Sequence, residues 1–93
     1  MNLNEIIKNS NTTIVDVRTN EEFTKECLND TINIPLSEII DRVDELKKMQ
    51  PLVLCCLSGV RSGKATEYLK SIGFDKVYNG GGWRDIASYR LHK

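Results

Sequence analysis

Apolar positions along the chain change period several times, and each change predicts a new element. Leu3, Ile6 and Ile7 fall on one face of a short opening helix. Residues 12–17, Thr-Thr-Ile-Val-Asp-Val, are β-branched except for the aspartate and predict a buried strand. Thr19, with Glu22 three residues later, offers a capping box for a helix running to about Cys27. Thr31 to Ile34 reads as a short strand stopped by Pro35, after which Ser37 caps a helix whose Ile39, Ile40, Val43 and Leu46 share a face. Gln50-Pro51 ends that helix.

Leu52 to Cys55 is an unbroken apolar run, the pattern of a central strand buried on both faces. Beyond Ser62, the residues Ala65, Tyr68, Leu69 and Ile72 recur at i, i+3, i+4 and i+7, predicting an amphipathic helix with Gly73 as its C-cap. Lys76-Val77-Tyr78 is a last strand, Gly80-Gly81-Gly82 a turn, and Trp83 to Ala87 the start of a helix that covers the sheet, with Trp83 packing against it. Alternating strands and helices imply an α/β fold, a central, mostly parallel sheet flanked by helices on both faces. The 93 residues have room for one domain, taken as 1–93.

Composition narrows the function classes. With 40% hydrophobic and 28% charged residues the chain is globular and not disordered. Thirteen Lys and Arg balance thirteen Asp and Glu, so no net positive field gathers nucleic acid or an anionic membrane, and neither is expected as a partner. The first residues lack a signal-peptide run and no stretch is long enough to span a bilayer, which predicts a cytoplasmic protein. The three cysteines, Cys27, Cys55 and Cys56, are odd in number and two are adjacent, so a secreted disulfide framework is excluded and free thiols are expected. Their spacing, with His92 the lone histidine in a tail, does not suit zinc, and no Gly-x-Gly-x-x-Gly or Walker loop is present; neither metal nor cofactor is expected.

The chemistry is concentrated in Cys56-Leu57-Ser58-Gly59-Val60-Arg61, between the buried strand and the amphipathic helix. Open α/β sheets place their sites at the carboxyl ends of strands. A tight turn into a helix leaves backbone N–H groups without intrahelical partners, and with the helix dipole these favour negative charge. A cysteine in that setting drops from a pKa of about 8.5 to roughly 3.5–7.5, so Cys56 is expected to be a thiolate. Gly59 gives the turn its freedom, and Arg61 is expected to draw an anionic donor to the rim. Because side chains alternate along a strand, Cys55 should face the core and be inert.

On three blocks the chain resembles the rhodanese family: Ile14-Val15-Asp16-Val17-Arg18 with Glu21-Glu22-Phe23, then Ile32-Asn33-Ile34-Pro35-Leu36, then Cys56-x-Ser58-Gly59-x-Arg61-Ser62 with Ala65. A fourth, Gly81-Gly82-Trp83-Arg84-Asp85-Ile86-Ala87, is similar to the closing segment of the single-domain, phage-shock protein E type of thiosulfate sulfurtransferase. The resemblance implies a rhodanese-like fold, Cys56 as the catalytic residue, and Leu57, Ser58, Gly59, Val60 and Arg61 as the loop that binds the persulfide. It implies that Asp16, Arg18 and Glu22 form a structural ion-pair network. The chain departs from the family at Glu26-Cys27-Leu28-Asn29-Asp30-Thr31, where many relatives carry Gly-His and an Ile-x-Gly-Ala segment, and at Leu57, often polar or Arg in relatives. Cys27 is read as a partly buried small residue, with a resolving thiol as its alternative role.

The implied reaction is ping-pong transfer of a sulfane sulfur from thiosulfate or a similar donor, through Cys56, to a thiol or cyanide. Two other readings stay open: a non-catalytic persulfide carrier serving a sulfur-relay protein, and an arsenate reductase or phosphatase of the same fold class. The last would use Cys-x-x-x-x-x-Arg, one residue longer than the spacing here.

Overall fold

The computed structural model describes residues 2–91. Strands β1 (Thr13–Asp16), β2 (Ile32–Asn33), β3 (Leu52–Cys56) and β4 (Val77–Gly82) form one parallel sheet in the order β2-β1-β3-β4. Five helices connect and cover them: α1 (Leu3–Lys8), α2 (Asn20–Lys25), α3 (Val43–Lys48), α4 (Val60–Ser71) and α5 (Trp83–Leu91). The α/β expectation holds.

Strand alternation sorts the core into two layers. Val15, Leu54 and Cys56 face Leu46 of α3 and Ala65 and Leu69 of α4. Ile14, Val53 and Cys55 face Ile6 and Ile7 of α1 and Trp83 and Ile86 of α5. Every residue of β3 is buried because the strand lies inside the sheet with helices on both faces. Thr19 makes both halves of its capping box with Glu22.

The structure corrects three element predictions. The helix expected from Ser37 is broken into two 3-10 turns, Leu36–Glu38 and Ile40–Arg42, before α3 begins. Ser37 caps nothing, and Arg42 leaves helical geometry (φ −117°, ψ 23°). That break resets the phase, so Ile39 and Leu46 stay buried while Ile40 is 66% exposed.

Ile72 also lies off the predicted stripe, because α4 ends at Ser71. Gly73, at φ 107°, donates to the Lys70 carbonyl at 3.1 Å, and the Phe74 N–H donates to the Leu69 carbonyl at 3.0 Å. This is a Schellman cap, and it turns Phe74 into the core in place of Ile72.

The third correction concerns Gly80-Gly81-Gly82, which is strand, not turn. β4 pairs with β3 through Leu54↔Asn79 and then Cys55↔Gly81, so Gly80 is the extra residue of a bulge. A Cβ on Gly80 would lie 2.6 Å from Val53 Cγ1, and one on Gly82 would lie 2.7 Å from the Leu57 carbonyl oxygen. Glycine here lets β4 and the segment after β3 approach closely.

Candidate active site around Cys56

Cys56 is the last residue of β3, and the chain turns over its sulfur before entering α4. Gly59 makes that turn at φ 99°, a left-handed conformation in which an L side chain is strained. Its N–H donates to Cys56 Sγ at 3.0 Å, and Ser62 Oγ lies 3.5 Å from the same atom. Burial pushes the Cys56 thiol up, but the Ser62 hydroxyl and the N–H groups of Ser62, Gly59 and Ser58 together outweigh it and hold the thiol below its ordinary value. Cys56 is only 1% exposed.

Cys55, on the opposite face, meets Ile14, Val53 and Ile86 instead. Burial, with the nearby Asp16 carboxylate adding to it, pushes this thiol up to about 12. One position along the strand thus separates a stabilised anion from an inert thiol.

Behind the sulfur stands a residue that sequence reasoning passed over. Asn79 Oδ1 accepts the Ser62 hydroxyl at 2.7 Å and the Gly81 N–H at 3.0 Å, while its Nδ2 donates to the Gly59 carbonyl at 3.1 Å. Asn79 therefore ties β4, the turn at Gly59 and the first turn of α4 into one unit beneath Cys56. Asn79 stands immediately before the triple glycine, and reading that run as a turn removed Asn79 from the sheet.

Arg61 is not free to recruit an anion. Its Nη1 and Nη2 donate to the two carboxylate oxygens of Glu22 at 2.7 and 3.1 Å. The hydrogen bond from Arg61 is the largest influence on Glu22 and holds its carboxyl at about 2. Glu22 therefore makes its direct ion pair with Arg61 and meets the expected partner Arg18 only through the longer-range attraction of their charges. Asp16 and Arg18 pair with each other at 2.8 Å; Arg18 also donates to the Glu26 carbonyl and lies 4.8 Å from the centre of the Trp83 ring. These contacts tie the end of β1 to the C-terminal end of α2 and the start of α5. Trp83 is buried, as expected of a packing residue.

Of the remaining loop residues, Ser58 offers its N–H to the sulfur. Leu57 and Val60 turn outward, 55% and 63% exposed. Cys27 is exposed, not partly buried, because α2 stops at Lys25 and leaves it in the connection to β2. His92 lies outside the described residues. Among the described residues no cluster of His, Cys, Asp and Glu is placed to hold a metal, and no helix is long and apolar enough to cross a membrane.

The rhodanese-like domain profile matches residues 2–88. The thiosulfate sulfurtransferase PspE of Escherichia coli is 37% identical over 75 residues, which cover 78% of this chain and 72% of that protein. A putative sulfur carrier protein of Bacillus subtilis, YrkF, is 39% identical over 66 residues, covering 71% of this chain but only 36% of the carrier. Among solved structures, an E. coli rhodanese with anions superposes with a TM-score of 0.73 at 34% identity, covering 82% of this chain and 92% of that one.

Proposed function

The chain belongs to the rhodanese-like family of sulfurtransferases, and we propose that it carries a sulfane sulfur as a persulfide on Cys56. The observation that carries this reading is the Cys56 sulfur, sealed under its own loop with the Gly59 N–H 3.0 Å away. In the first half-reaction the Cys56 thiolate attacks the outer sulfur of thiosulfate or a related donor. The new S–S bond forms as the outer sulfur parts from the sulfonate sulfur, and sulfite leaves with that electron pair. The charge stays on the terminal sulfur of Cys56-S-S⁻. A thiol or cyanide then attacks that sulfur and restores the thiolate. No proton has to be removed from the nucleophile, so the cycle needs no base beside it.

Near-complete burial of Cys56 supports transfer of one atom, because a donor must reach Sγ with a single terminal sulfur. A phosphatase or arsenate reductase would have to wrap a whole tetrahedral oxyanion, and the four-residue spacing from Cys56 to Arg61 with Arg61 engaged by Glu22 leaves no such cradle. A carrier role draws support from the likeness to the putative sulfur carrier. It uses the same persulfide and differs only in where the sulfur comes from.

Intact-protein mass after incubation with thiosulfate tests the proposal. We expect a gain of one sulfur, about 32 Da, that is absent in Cys56→Ser and is released by cyanide as thiocyanate. No gain with thiosulfate, but a gain with a cysteine desulfurase and cysteine, would replace the enzyme reading with the carrier. No gain with either would refute sulfur transfer through Cys56.

A further inference from the structure

Ser62 has one hydroxyl proton, and its neighbours fix where that proton points. Asn79 Oδ1 accepts the Gly81 N–H at 3.0 Å and its Nδ2 donates to the Gly59 carbonyl at 3.1 Å, so two backbone groups of fixed polarity orient the amide. The amide oxygen then faces Ser62 Oγ at 2.7 Å and carries no proton, which makes Ser62 the donor. Cys56 Sγ, at 3.5 Å, is left facing a lone pair of the same hydroxyl. A Cys56 S–H can donate to that lone pair, whereas a thiolate has to draw the proton away from Asn79. Asn79 and the thiolate compete for one proton. Loading ends the competition, because the charge moves to the terminal sulfur, about 2 Å beyond Sγ.

Taking Cys56 as the sulfur carrier proposed above, we infer that Asn79 is a positioning residue that holds the Ser62 proton away from the Cys56 thiolate and so favours the loaded persulfide over the free thiolate. No bond is made or broken at Asn79 or Ser62. The bond from Cys56 to the incoming sulfur forms and sulfite leaves with the electron pair, while the hydroxyl proton only turns between its two acceptors. A mere brace would behave differently. Losing a brace loosens the N–H groups around the sulfur and raises the Cys56 midpoint, whereas losing a competitor gives the Ser62 proton to the sulfur and lowers it. The brace is also duplicated, since the Gly59 carbonyl accepts the Gly63 N–H at 2.9 Å. The titratable groups around the loop are Cys55 beside Cys56, Asp16 with Arg18, Glu22 of α2, Arg61 and Lys64 of α4, and Asp85 of α5. Asn79→Ala alters none of them, so they cancel between variant and parent.

Iodoacetamide alkylation of Cys56 against pH is measured in a Cys27→Ser background for Asn79→Ala, Ser62→Ala and the double variant. Loading by thiosulfate against added sulfite is read by intact mass in the same set. Asn79→Ala should lower the Cys56 midpoint by about half a pH unit, a gain of about threefold in thiolate below it. Above the midpoint it should lower the persulfide-to-thiolate ratio about threefold. Both effects should vanish in the Ser62→Ala background. A midpoint that stays or rises, one that moves equally in both backgrounds, or an unchanged loading ratio overturns the inference. If Asn79→Ala does not fold, Asn79→Asp takes its place. Its carboxylate is the stronger acceptor, so the midpoint should rise more with Ser62 present than with Ser62→Ala, where the added charge acts alone; equal rises overturn the inference. If only a cysteine desulfurase loads the wild type, the alkylation midpoints decide. A wild type that takes sulfur from neither source overturns the carrier reading itself, and this inference with it.

Discussion

Replacing Ser62 by alanine isolates one of the groups that hold the Cys56 thiolate. The hydroxyl has one proton and two acceptors within reach, Asn79 Oδ1 at 2.7 Å and Cys56 Sγ at 3.5 Å. A hydrogen bond to a charged group contributes about 1.5–3 kcal/mol, and one this long and shared belongs below that range, at about 1 kcal/mol. The substitution strands no partner, because Asn79 Oδ1 keeps the Gly81 N–H at 3.0 Å. Losing a donor to the anion disfavours the thiolate, so the Cys56 midpoint moves up and the thiolate fraction below it falls about fivefold. Iodoacetamide alkylation at Cys56, followed by mass against pH, reads this directly. The assay uses a Cys27→Ser background, since Cys27 is exposed and reacts too. The rates of Ser62→Ala and its parent should differ about fivefold on the acidic side and converge once both are ionised. Equal rates at every pH would mean that the backbone N–H groups hold the anion alone. A constant deficit at every pH would mean that Ser62 governs access and not ionisation.

The Glu22–Arg61 pair makes the second prediction. Glu22 is held at about 2 against an ordinary 4.5, so its stabilisation is complete above pH 4.5 and is lost as pH falls from there toward 2. Glu22→Gln should lower the thermal midpoint at pH 7 by the equivalent of about 1 kcal/mol or less, because both side chains are 33% exposed, and the gap should close by pH 2; a gap that persists there refutes the pairing. For Gly82→Ala, a Cβ 2.7 Å from the Leu57 carbonyl should cost about 1–3 kcal/mol and slow persulfide formation more than tenfold. Gly73→Ala is its control: at φ 107° with nothing within 4 Å it should lose stability alone, in denaturant melts, with sulfur loading unchanged. Native protein treated with iodoacetamide at pH 8.5 should be modified at exposed Cys27 and at Cys56 well before Cys55: the last two are equally buried, but only Cys55 has its thiol pushed up, to about 12; labelling of Cys55 as fast as Cys56 in peptide maps would refute that difference in ionisation.

Much of this fold was legible because its core follows periodic rules. The apolar run at Leu52 to Cys55, the stripe of Ala65 and Leu69, and the Thr19–Glu22 box each depend on residues close in sequence, and each appears where the pattern predicts. What failed depends on contacts that no local pattern contains. Ile40 has helical spacing with Ile39 and Val43, but the chain there is two 3-10 turns with a break at Arg42, and Ile40 faces solvent. The triple glycine has the composition of a turn, yet its bareness serves a tertiary need, room for Val53, Ile86 and the Leu57 carbonyl against β4. Asn79 was missed for the same reason, since its partners Gly59 and Ser62 are 20 and 17 residues away in the chain. The Glu22–Arg61 pair spans 39 residues.

That last contact changes what the loop is for. An arginine closing a cysteine loop reads from sequence as an anion receptor, and with Arg61 free the mouth would be cationic. Held by Glu22 at 2.7 Å, Arg61 becomes a strut from the start of α4 to α2. The negative charge at Cys56 is then held chiefly by N–H dipoles and one hydroxyl, with the Arg61 charge acting on it from farther away. Dipoles fixed by backbone geometry stabilise charge only at the point where they converge, whereas a guanidinium at the rim would attract any anion from several ångströms away. The site so built holds a sulfur anion at the point where those donors converge.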